Sequence, residues 1–167
     1  MAIVDISGVS SEALNLKTLM DGVLERAEST FVSYNVPLPE RRYWTLGQPV
    51  IDCEQLVVSF IQMYLGTPGD EASTPQRCHQ PRTAVVSISL AREIPTSGQN
   101  GRPPSGQTIE EASYISAVDS WVLMESVNLF DQWDETGYGM GVIATVESST
   151  AAGGFEVVTM QLSLVVP

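Results

Sequence analysis

The chain predicts an α+β fold, a mostly antiparallel sheet with two helices packed on it, in the order α-β-β-β-α-β-β. Three observations predict it. Gln55–Leu65 (QLVVSFIQMYL) and Thr83–Ile94 (TAVVSISLAREI) alternate at period two with β-branched and aromatic residues, as strands with buried faces do. Leu16, Leu19, Met20, Val23, Leu24, Ala27 and Phe31 recur at the spacing of one helical stripe. Met140–Val146 and Val158–Val166 alternate again around the turn Ser148–Gly154, as a hairpin.

Residues 1–10 read as an extended lead-in broken by Gly8. Ser10 or Ser11 caps the first helix, with Glu12 in its first turn. Lys17, Asp21, Glu25 and Glu28 fall outside its apolar stripe, as on a surface helix laid on a sheet. Pro37, Pro39, Gly47 and Pro49 break the next segment, and Arg41–Leu46 (RRYWTL) is its strand, near a sheet edge. The pair Arg41–Arg42 is either charge that protects that edge or a contact to an acidic neighbour.

In Gln55–Leu65, Val57, Ser59, Ile61, Met63 and Leu65 share one face, and Leu56, Val58, Phe60, Gln62 and Tyr64 the other. Both faces are largely apolar, so the strand is central. In its neighbour, Ala84, Val86, Ile88, Leu90 and Ile94 oppose Val85, Ser87, Ser89, Ala91 and Glu93. A hairpin between the two places Leu65 near Thr83 and Cys53 near Pro95. Cys78 then lies roughly 30–40 Å from Cys53 at about 3.3 Å per residue, beyond the about 7 Å that a disulfide spans.

Gly66–Pro81 and Thr96–Gln107 are long polar loops, of the kind that either reach a neighbouring molecule or line a site. Thr108 and Glu111 form a capping box, and the second helix runs to about Trp133. Its apolar arc (Ile109, Ala112, Ile115, Val118, Trp121 and Val122, then Leu129 and Phe130) is broad enough to be covered from more than one side. Asp131, Asp134 and Glu135 crowd its C-terminal end, where the helix dipole prefers cations.

The totals narrow the function. At 167 residues, with 43% hydrophobic and 17% charged residues, the chain is a single ordered domain. Its net charge is -12, and Pro103–Pro167 holds nine acids and no Lys or Arg. Such a surface repels nucleic acid and anionic membrane. The N-terminus carries Asp5 where a signal peptide needs positive charge, and no apolar run is long enough to span a bilayer as a helix. The expectation is a soluble, non-secreted protein.

No motif reads as an active site. Cys78 and His79 are adjacent, which rarely lets a cysteine–histidine pair face one another. Cys53, Cys78 and His79 lack the paired spacing of a zinc site. Gly137, Gly139 and Gly141 precede a strand rather than a helix, so they make no phosphate-cradling turn. The spacing of Asp131, Asp134 and Glu135 matches no calcium loop. No cofactor and no metal are expected.

Arg41–Gly66 (RRYWTLGQPVIDCEQLVVSFIQMYLG) and Arg82–Glu125, which runs from RTAVVSISLAREI through TIEEASYISAVDSWVLME, resemble tail terminator proteins of long-tailed actinobacteriophages. A neck or head-completion protein of the same virions is the competing likeness. The resemblance implies a small α+β subunit that forms a homo-hexameric ring. Such a ring caps the tube of major tail proteins and joins it to the head–tail connector proteins, with genomic DNA passing through without specific binding. It implies a virion location, after synthesis in the host cytoplasm, and no catalytic residues. Arg41, Arg42, Trp44, Arg102 and Trp133 are candidate subunit-interface residues, and Asp131, Asp134 and Glu135 a candidate acidic lumen or partner surface. The alternatives are a non-enzymatic ligand- or peptide-binding module, with the long loops lining its site, and a small hydrolase. A pocket holding a buried carboxylate of raised pKa would favour the last.

Overall fold

Five strands form one sheet in the order β1-β2-β3-β5-β4, with both helices on the same face. The computed structural model describes residues 11–68, 82–97, 101–131, 143–151 and 154–166. The elements are α1 (Ser11–Ser33), β1 (Arg41–Leu46), β2 (Gln55–Leu65), β3 (Arg82–Glu93), α2 (Gly106–Asp131), β4 (Ile143–Ala151) and β5 (Phe155–Val166). The chain is therefore α+β in the expected element order. Only β1 with β2 is parallel; the other three pairings are antiparallel.

The apolar stripe of α1 packs over β1 and β2, α2 packs over β4 and β5, and the helices touch each other. Leu19, Met20, Val23, Ala27 and Phe31 meet Leu56, Val58, Ile88 and Leu90 in the core, and Val122 and Leu123 enter it from α2. Pro37 bars continuation of α1, which closes in a Schellman motif. Val36 N–H donates to the Phe31 carbonyl at 2.9 Å, and Asn35 N–H to the Val32 carbonyl at 3.1 Å. Asn35 takes φ 54°, the left-handed conformation the motif requires. This brings Val36 down onto the core.

Two details of the expected strands change. A bulge at Ile61 shifts the β2–β3 register between Phe60 and Gln62, so Leu65 faces Arg82 rather than Thr83, and Gln55 faces Ala91. Because cross-strand partners share a face, Met63, opposite Ala84, joins the face of Leu56, Val58 and Phe60 instead of that of Val57. The C-terminal turn is also tighter than Ser148–Gly154. Ser148–Ala151 are still paired, with Val158–Phe155, and Gly154 turns the chain at φ 86°.

The helix cap moves as well. Ser105, not Thr108, caps α2: its hydroxyl accepts the Thr108 N–H at 3.2 Å, while Glu111 accepts from the Gln107 amide at 2.9 Å. Thr108 lies inside the first turn and cannot itself be the cap.

The sheet's second face is buried too. Gln55, Val57, Ser59, Val85 and Ala91 are enclosed although neither described helix covers them. Polar residues there find local partners. The Gln55 amide donates to the Val50 carbonyl at 2.8 Å, the Thr83 hydroxyl donates to the Gly66 carbonyl at 2.6 Å, and Ser89 and Thr159 share a hydrogen bond at 3.1 Å. The Ser59 hydroxyl is buried and makes no hydrogen bond.

Candidate functional site

A cavity of about 650 Å³ opens at one end of the sheet, between the strands and the first half of α2. The inward face of β3 runs Ala84, Val86, Ile88, Leu90 and then, at the next period-two position, Arg92. Antiparallel pairing sets Leu90 opposite Val158 and Arg92 opposite Glu156. The core face of the sheet thus ends in a charged pair of positions, beneath Ser116 and Asp119 of α2.

Arg92 bridges to Asp119 with two parallel hydrogen bonds: Nε donates to Oδ2 at 2.5 Å and Nη2 to Oδ1 at 2.9 Å. Nη2 also donates to the Pro37 carbonyl at 2.8 Å, which ties the pair to the exit of α1. The Asp119 side chain is 2% exposed and that of Arg92 17%, so this pair is buried, unlike the other three ion pairs among the described residues. Burial pushes the Asp119 carboxyl above its ordinary range. Arg92 opposes the shift, and the carboxylates of Glu156 and Glu54 add to it.

Glu156 is held by hydroxyls. Its Oε1 accepts from Ser116 Oγ at 2.7 Å and from Ser148 Oγ at 2.8 Å. Glu54 Oε1 accepts the backbone N–H of Glu93 at 3.3 Å. Leu90, Ile94, Ile115, Val118 and Val158 supply the apolar walls.

A buried carboxylate of raised pKa in a pocket is thus present. Its geometry does not resemble a catalytic base, because both Asp119 oxygens are engaged by the guanidinium of Arg92. The serines near Glu156 donate to a carboxylate, and among the described residues no histidine stands between them to take a proton. Among the described residues, no three His, Cys, Asp or Glu side chains are grouped so as to hold a metal ion.

Of the expected interface residues, Arg41, Arg42 and Trp44 lie away from this cavity and have partners within the chain. Arg41 pairs with Asp52 at 2.6 Å and stacks over the Tyr43 ring at 5.2 Å. Arg42 sits 3.7 Å from Glu28. Trp44 packs against the core and donates its indole N–H to Asp21 at 2.7 Å, and Lys17 also bonds that carboxylate. Arg102 is exposed just before α2. Asp131 is the last residue of α2; Trp133, Asp134 and Glu135 lie outside the described residues, as do Cys78, His79 and the glycines 137, 139 and 141. Cys53 carries a free thiol.

The outer side of α2 is more apolar than a solvent-facing helix needs. Tyr114, Trp121 and Met124 are exposed at helical spacing, and Tyr34 meets Trp121 edge-on with ring centroids 4.7 Å apart. Val32 is exposed at the adjoining end of α1. No described helix is long and apolar enough to cross a membrane. No protein-family model matches the chain, and no curated protein matches it either.

Proposed function

We propose that this chain is a structural virion protein, a ring-forming tail terminator that caps the tail tube and joins it to the head-proximal connector. The likeness of Arg41–Glu125 to that family supports the reading, and the observation that carries it in the structure is the exposed apolar side of α2. Tyr114, Trp121 and Met124, continued by Tyr34 and Val32, form a row of large side chains on a strongly acidic molecule. Such a row is what a subunit keeps for a protein neighbour. The two outer strands, β1 and β4, leave further backbone groups for a heterologous contact that closes a ring. The acidic charge suits a ring through which DNA passes without adhering, since cationic contacts are what hold DNA.

Native mass measured over a wide concentration range, with and without tail tube protein, tests the reading. A hexamer, alone or on the tube end, is expected, and Trp121→Glu is expected to abolish it while leaving the monomer folded. A chain that stays monomeric or dimeric and ignores the tube at high concentration would overturn it.

The cavity at the end of the sheet favours a second reading, a non-enzymatic ligand- or peptide-binding module. Its volume falls within the range of small-molecule sites, and its walls are apolar with a few convergent polar groups.

A further inference from the structure

We propose that the cavity beneath α2 binds a cation, an ammonium or guanidinium group carried on an apolar stem. The inference deepens the ligand-binding reading and requires no ring.

Among the described residues, Arg92 is the only cation in the lining, and its guanidinium is already committed to Asp119 and the Pro37 carbonyl. Four carboxylates of the lining, Glu54, Glu93, Glu111 and Glu156, have no ion-pair partner among the described residues. Their field is felt inside: Glu156 and Glu54 both push the buried Asp119 carboxyl upward, beyond the effect of burial. A cation entering the cavity relieves this repulsion, whereas an anion adds to it.

The position of Glu156 gives the site its floor. Two serine hydroxyls, one from α2 and one from β4, donate to the same oxygen, Oε1, and so fix the carboxylate between helix and sheet. The carboxylate is thus positioned where the cavity meets the core, between two hydroxyls that carry no formal charge.

Shape and walls then select the kind of cation. The acids of the described chain do not gather three together as a metal ion would require, so the negative charge is spread around the cavity. Leu90, Ile115, Val118 and Val158 offer aliphatic surface between those charges. A charged head among the carboxylates with its methylene stem along these side chains satisfies both features. Alkylamines and the lysine or arginine side chains of a polypeptide share that chemistry.

The test is a titration followed by backbone amide NMR on the full chain, with four probes: n-hexylamine, n-hexanol, hexanoate, and a short blocked peptide with one central arginine. Hexylamine or the arginine peptide is expected to move the resonances of Ser116, Val118 and Val158 saturably. Glu156→Gln, which keeps the hydrogen-bond acceptor, and Glu54→Gln are each expected to weaken that binding by about tenfold. Thermal unfolding of both variants confirms that they fold. Binding of the peptide alone assigns a polypeptide source, and equal binding of hexylamine a free amine; either upholds the proposal. Hexanoate or hexanol binding as well as hexylamine would overturn the cation while keeping a ligand site. No saturable shift with any probe would overturn both. Unchanged affinity in both folded variants would likewise overturn the proposal.

Discussion

Arg92 of β3 and Asp119 of α2 face each other edge to edge, their two hydrogen bonds at 2.5 and 2.9 Å closing the end of the core where the next aliphatic pair would stand. The pair joins the central strand to the middle of a helix from a distant part of the chain. With Asp119 almost wholly enclosed, its value lies in completeness. Two charges buried together are tolerated, and one alone is not.

Arg92→Met should therefore cost about 3–5 kcal/mol, because it leaves a buried carboxylate uncompensated. The double variant Arg92→Met, Asp119→Leu should recover most of that loss. Urea unfolding of the four members of the cycle measures the coupling. Additive effects of the two single changes would show that the pair does not act as a unit.

The pH dependence follows from the sign of the Asp119 shift. Its folded carboxyl titrates above the ordinary aspartate value of 3.8, so the folded state holds the proton more tightly than the unfolded state does. The stabilisation from this group is fully present below 3.8 and is lost as pH rises through the folded value. Asp21 runs oppositely. The bond from Lys17 is the largest cause of its lowered pKa, and Trp44 adds to it, so its contribution is present above 3.8 and is lost as pH falls through the folded value. The stability of the wild type minus that of Asp119→Asn should decline with rising pH across the Asp119 window and then level off. A flat difference would mean that Asp119 does not titrate above its ordinary range.

Asn35 holds the left-handed position that ends α1, with φ 54°. Asn35→Ala should destabilise the fold by about 1 kcal/mol, because a Cβ without a local polar partner is unfavourable there. Asn35→Gly should be neutral or slightly stabilising. Thermal unfolding of the two variants should separate them in that order.

Ser59 presents a buried hydroxyl with no hydrogen-bond partner, among Val57, Val85 and other enclosed residues of the face away from the helices. Replacing it with alanine removes the unsatisfied group and little volume. Ser59→Ala should stabilise the protein by about 1 kcal/mol, seen as a higher urea midpoint at unchanged slope. A loss of stability would mean that the hydroxyl has a partner in solution.

The element order, the strands and the apolar stripe of α1 are legible in the sequence because helix and strand periods impose a pattern on neighbouring residues. Val57 and Val58 both look buried, and both are. What escaped was local irregularity. Nothing in QLVVSFIQMYL marks Ile61 as the extra residue of a bulge, since every position around it is apolar or neutral, and the reversal of Met63 is visible only once β3 lies beside it. Asn35 before Val36 and Pro37 is a readable signal for the helix end, whereas the prolines by themselves mark only a break.

The cavity was half legible. Arg92 occupies the period-two position after Leu90, and Ser116 and Asp119 recur with Val122 and Leu123 on the inward side of α2. Each could be read as an odd polar residue on an apolar face. That Arg92 would meet Asp119, that Glu156 would be its cross-strand partner, and that Arg41, Arg42 and Trp44 would be engaged within the chain depend on contacts between segments far apart in sequence. Which residues are strand, helix and core can be read locally, because periodicity and burial of apolar surface act on neighbouring residues. Which charges are neutralised and which line an open cavity is settled by long-range contacts, because it depends on register and on where α2 comes to rest.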